Sequence, residues 1–148
     1  NESFAGAVER LGAEAWLRRQ GSPQAWQRYR QGDERRRGFL ALNLRYRERL
    51  AELYASAQDE AAKRAAKQAL FAAMRADYER LKREEWGGFA GYDAWYARAN
   101  NASLAVLGAY HELTPQFERL HARLGGDWAR FYAEVRRLAA LPAPQRRL

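Results

Sequence analysis

The sequence predicts an all-α protein, an irregular bundle of six to seven helices, and three observations carry that expectation. The 148-residue chain is rich in Ala, Leu, Arg and Glu and has only 4 Pro, and the dominant residues give up little side-chain freedom in a helix. Apolar residues recur at steps of three and four, the period of a helix face rather than the alternation of a strand. Gly, Pro, Ser and Asp fall between these stretches, where helices start and stop. With 47% hydrophobic residues, the length suits a single helical domain over residues 1–148 with a core of its own.

Taken in order, Phe4, Ala7, Val8, Leu11 and Ala15 define a first helix that reaches about Gln20 and stops at Gly21. Ser22 and Pro23 read as cap and first-turn residue of a short second helix through Tyr29, which Gly32 ends. Asp33 then caps a third helix to about Ala57, with Phe39, Tyr46, Leu50 and Leu53 on one stripe and the amide Asn43 on the same stripe. Asp59 opens a fourth helix, expected to be the longest, which turns Phe71, Met74, Tyr78 and Leu81 inward. The glycine-rich stretch "WGGFAGYDAW" reads as a loop with tight backbone geometry. Helix resumes near Asp93 and runs to about Leu113. Thr114 and Pro115 cap and start the next helix, closed by Gly125 and Gly126, and Asp127 caps a last one bearing Trp128, Phe131, Val135 and Leu138. The five Trp mostly fall on apolar faces, where core packing is their ordinary role.

Composition excludes several chemistries. The chain has no Cys, so disulfides, thiolate metal sites and cysteine nucleophiles are out. No G-x-S-x-G turn, Walker loop or calcium loop occurs, and no apolar run approaches the roughly 20 residues of a membrane span. The net charge of +8 raises nucleic acid or an acidic protein as a partner. The basic residues are interleaved with acids, however, in runs such as "DERRR" and "YERLKREE", the pattern of solvated faces with local ion pairs. No nucleic-acid partner is therefore expected, and a basic helical binding module stands as the competing class.

Three segments, "NESFAGAVERLGAEAWL", "NNASLAVLGAYHELTPQF" and "GDWARFYAEVRRL", resemble in the same order the segments that follow the HExxH helix in a bacterial zinc aminopeptidase family of the gluzincin type. The resemblance implies a zinc cofactor, a peptide substrate and a place in the periplasm or cell envelope. It assigns Glu2, the Glu of the NExFA pattern, as third protein ligand of the zinc. The chemistry agrees: HExxH supplies two His ligands and a general base, and a catalytic zinc needs one more protein ligand and an open position for water. The alternative for Glu2 is a solvated carboxylate favoured near a helix N-terminus.

This chain departs from the family pattern in containing no HExxH. The expectation is therefore a C-terminal part of a longer protein, inactive by itself, with an apolar groove on its first helix where the HExxH helix would lie. Glu9 is two turns, about 10 Å, along the helix from Glu2 and so cannot share its metal. It is a candidate for binding the substrate's amino group or for a local ion pair. Asn100 and Asn101 are candidates for holding peptide backbone, or for capping and cross-linking helices. Tyr110 is the candidate catalytic residue, as the oxyanion donor that gluzincins commonly place opposite the metal, with packing on Phe117 as the alternative. His111 and His121, ten residues apart, fit no zinc spacing and read as surface or satisfied polar residues.

Overall fold

The computed structural model describes residues 2–111, 113–142 and 145–146, with the side chains of all but 109 and 110. Seven helices and no strand occur among these residues. None is long and apolar enough to cross a membrane. The chain divides into two compact units. The middle unit is Gln20–Ala109, and the end unit joins Asn1–Arg19 to Tyr110–Leu148.

Helix α1 (Glu2–Gln20) carries Glu2 in its first turn and Arg18 and Arg19 in its last, the charge order that the helix dipole favours. Helix α2 (Pro23–Ala55) starts where expected: the Ser22 hydroxyl accepts the Ala25 N–H at 3.2 Å, and Pro23 fills the first turn. It then runs unbroken for 33 residues, through the predicted stop at Gly32. A Cβ at Gly32 would meet nothing within 4 Å. The glycine costs the helix some entropy but imposes no turn. Asp33 does not cap; its carboxylate pairs with Arg36 at 3.2 Å and Arg37 at 2.7 Å, one turn on, and this supports the helix across the weak point. Thus α2, not the helix after it, is the longest element.

Asp59 caps α3 (Glu60–Glu84) by accepting the Ala62 N–H at 2.8 Å. The chain leaves α3 through Gly87 and Gly88, whose φ values of 58° and 81° are left-handed, and the Gly88 N–H closes back on the Lys82 carbonyl at 2.8 Å. Glycine adopts that geometry without a Cβ penalty. The predicted single helix from Asp93 to Leu113 is two: α4 (Asp93–Arg98) and α5 (Asn101–His111), parted where Ala99 takes ψ 134°. The middle unit is built on α2 and α3, with Phe39, Leu42, Tyr46, Leu50, Phe71, Met74, Tyr78, Trp86 and Tyr96 buried together. Its core is aromatic: Phe39 stacks on Tyr92 at 4.2 Å and Tyr78 on Tyr96 at 4.0 Å. Gly38 makes room for Trp86, whose indole would lie 2.9 Å from a Cβ there.

The end unit is closed by α6 (Thr114–Arg123) and α7 (Trp128–Ala140). Gly125 and Gly126 adopt φ 72° and 75°, and Asp127 caps α7 by accepting the Arg130 N–H at 3.0 Å. Thr114 is not a cap. It lies inside α6, buried, and its hydroxyl donates to the Ser3 carbonyl of α1 at 3.2 Å. Phe131 is wholly buried among Ala7, Phe117, Leu120 and Leu138, with Phe4 and Val8 packed against them. Trp16 departs from its expected packing and is 59% exposed.

Candidate functional site

Residues two apart on a helix point about 200° from each other, whereas residues seven apart nearly coincide. Helix α1 divides accordingly. Ser3, Ala7 and Arg10 are buried, while Glu2, Ala5, Glu9 and Trp16 form the exposed face. Phe4, Val8 and Leu11 are half-buried. Phe4 meets Phe117 edge-on at 5.5 Å and lies 5.9 Å from Phe131. The residues expected to line a groove thus pack on this chain's own helices at least in part, and what stands open beside Glu2 is a face of small and acidic residues.

Glu2 and Glu9 form no hydrogen bond or ion pair among the described residues, so both carboxylates are turned to solvent. The helix that bears them is pinned firmly behind. Thr114 holds the first turn through the Ser3 carbonyl. Two turns further on, the buried Arg10 guanidinium forms a two-pronged ion pair with Glu118 of α6. A guanidinium fork on a carboxylate fixes direction as well as distance, so the pair sets both the height and the rotation of α1.

A zinc site needs three or more ligands within about 2.2 Å of one point. Among the described residues no group of three His, Cys, Asp or Glu is so placed. The described residues do not complete a zinc site, and the Glu2 carboxylate faces solvent. His121 is engaged in packing, its ring 4.5 Å from Trp128 and 5.3 Å from Phe131. His111 ends α5, half-buried.

Asn100 and Asn101 lie at the α4–α5 break, both exposed. The Asn100 side chain accepts the Ser103 N–H at 3.1 Å, and the Asn100 N–H is 3.4 Å from the Ser103 hydroxyl, a reciprocal cap on α5. Asn101 donates to the Tyr54 hydroxyl at 2.7 Å and so ties α5 to α2. Tyr110 falls on α5, and its side chain lies outside the described residues.

Sequence reasoning missed two polar knots of the middle unit. In the first, the Tyr78 hydroxyl donates to Asp93, which also accepts from Lys82 at 2.8 and 2.9 Å. These bonds, led by that from Lys82, hold the Asp93 carboxyl below its ordinary pKa. Burial, then the bond to Asp93, pushes the Tyr78 hydroxyl well above the usual phenol range; it is a fixed donor and not a nucleophile. In the second, Asn43 is completely buried, and its amide N–H2 donates to the Phe39 carbonyl at 2.8 Å and the Tyr96 hydroxyl at 3.1 Å. The signal for it was present, since an amide on an apolar stripe calls for polar partners; the N–H2 finds them, whereas the buried Oδ1 has no hydrogen-bond partner among the described residues. Several surface arginines are met by acids, one turn away in Arg18–Glu14 and Arg137–Glu134 and from α2 to α3 in Arg45–Asp77.

The architecture defines a class: an all-helical protein that displays a solvent-facing acidic helix start, with no self-sufficient metal cluster among the described residues. The family model described as "Putative aminopeptidase" matches residues 1–148, and the chain belongs to that family. No curated protein and no solved structure matches it.

Proposed function

We propose that this chain serves a zinc-dependent aminopeptidase by presenting Glu2 as the third protein ligand and α1 as one wall of the peptide cleft. The observation that carries the reading is the contrast across α1. The Glu2 carboxylate is exposed and without a partner among the described residues, yet the turn that bears it is fixed by Thr114 and by the Arg10–Glu118 pair. A ligand held ready in this way loses little freedom on binding metal. A carboxylate that served only helix stability would need no such fixing.

The face around Glu2 supports the same reading. Ala5 projects little, so another helix carrying the remaining ligands can approach closely. Glu9, exposed two turns along, offers a second carboxylate to the positively charged amino group of a peptide's first residue. Membership of the family supports peptide as the substrate.

The decisive experiment is Glu2→Gln in the full-length protein, with zinc content by elemental analysis measured beside the aminopeptidase rate. The expected outcome is loss of both metal and turnover with helicity unchanged. Glu9→Gln should lower the rate and leave zinc bound. Full zinc content and near-normal rate in Glu2→Gln would reject Glu2 as a ligand.

A further inference from the structure

On the side of α1 away from Glu2, the end unit carries a solvent-open cavity of about 270 Å³. Phe4, Leu113, Phe117, Val135 and Leu138 line it, with Ala139 at its exposed rim and Arg146 as the one cationic residue among the described lining residues. The size is close to the lower end of ligand pockets, and the pattern is that of a ligand site: apolar walls with one polar group to orient the occupant.

Arg146 is the informative residue. Its Nε donates to the Leu141 carbonyl at 2.8 Å, which ties the side chain down, and among the described residues it has no acidic partner. A guanidinium carries five N–H donors in a fixed fork suited to a carboxylate. Arginines such as Arg18, Arg37 and Arg137 reach an acid one turn away; this one stands at the edge of apolar walls instead. A cavity that is apolar inside and cationic at one edge complements an amphipathic monoanion. A peptide side chain alone would leave the guanidinium unused, and a polar anion would leave the walls wet.

We propose that this cavity binds a medium-chain aliphatic carboxylate, its chain among Phe4, Phe117 and Leu138 and its head on Arg146. The site does not depend on the zinc reading, because Phe4 and Glu2 point to nearly opposite sides of α1.

The probes are octanoate, decanoate and decanol, titrated calorimetrically into the full-length protein. One saturable site per chain is expected. Each added methylene buried strengthens binding about fourfold, so decanoate, with two more, should bind roughly fifteenfold more tightly than octanoate. Arg146→Gln should weaken decanoate about tenfold and leave decanol unchanged, which separates the charge from the cavity. Leu138→Trp should abolish both by filling the space. Ala139→Leu, at the exposed rim where folding is not at stake, should weaken both several-fold. Absence of saturable binding, equal affinities for the two chain lengths, or decanoate affinity indifferent to both Arg146→Gln and Ala139→Leu would overturn the proposal. The methyl ester of decanoate, which brings no charge to Arg146, should compete about as weakly as decanol; competition by the ester as strong as by the acid also counts against the assigned role of Arg146.

Discussion

The two units solve the same packing problem from opposite directions. The middle unit is local: α2 and α3 follow each other in the chain, and large aromatic surfaces such as Tyr78 on Tyr96 and Phe39 on Tyr92 fill the space between and beside them. The end unit is non-local, and its two polar pins join residues 108 and 111 positions apart. Where neighbours in sequence form a core, apolar area suffices to set the arrangement. Where distant segments must meet in one register, directional bonds at Arg10 and Thr114 do so, and the exposed acidic turn of α1 stands on the unit built that way.

The comparison breaks most severely at Phe131, the wholly buried ring at the centre of the end unit. Phe131→Ala should cost about 3–5 kcal/mol, and hydrogen exchange should show α1, α6 and α7 losing protection while α2 and α3 keep theirs. If protection is lost equally in both units, they are one cooperative body and the contrast is false. Next in size is Glu118→Gln. It takes away the carboxylate charge that the buried Arg10 guanidinium grips, a loss of roughly 2–3 kcal/mol, held below the usual cost of breaking a buried pair because Glu118 keeps some exposure. Urea unfolding would measure it, and Arg10→Met in the same background should recover part of the loss.

A smaller, pH-dependent effect belongs to the middle unit. Asp93 has a folded-state pKa below its ordinary value of 3.8, from the Lys82 and Tyr78 bonds, so its contribution is complete above that value. It is lost as the pH falls through the lower folded value. The acid limb of the stability profile should flatten in Asp93→Asn, read from thermal midpoints between neutral pH and the acid transition; an unchanged limb would remove Asp93 from the account. The smallest effect is a gain. Gly32→Ala places a methyl group in open space inside α2 and should stabilise by about 0.5–1 kcal/mol, whereas Gly38→Ala, aimed at the Trp86 indole, should destabilise.

The same contrast explains what could be read from sequence. Starts and stops that rest on local chemistry were legible: Ser22 and Pro23, Asp59, the glycines of the α3 exit, Gly125 and Gly126, and Asp127. So was the all-α class, and the stripe from Phe39 to Leu53 with Asn43 on it. Gly32 misled because a glycine in a sequence does not reveal whether its backbone must turn. Asp33 misled because an acid three and four residues before arginines serves a helix interior as well as a cap. Thr114 looked like a cap and is a long-range pin, a use that depends on Ser3 being beside it. At the candidate site, the position of Glu2 in a first helical turn followed from the sequence. The fixing of that turn by Arg10 and Glu118 did not, since neither residue's partner is near it in the chain.

The joining of α1 to helices more than a hundred residues later also sets the order of events on the ribosome. Synthesis runs at about 5–20 residues per second, so α1 waits roughly 5 to 20 s before α6 exists to receive it. Over that interval Phe4, Ala7 and Val8, later covered in the end unit, are presented to the surrounding chaperones and to other nascent chains. The middle unit can complete itself in the meantime. The segment that displays Glu2 is therefore made before the middle unit and folded after it, and slowed translation beyond residue 109 should raise aggregation of this protein more than the same delay placed within α2.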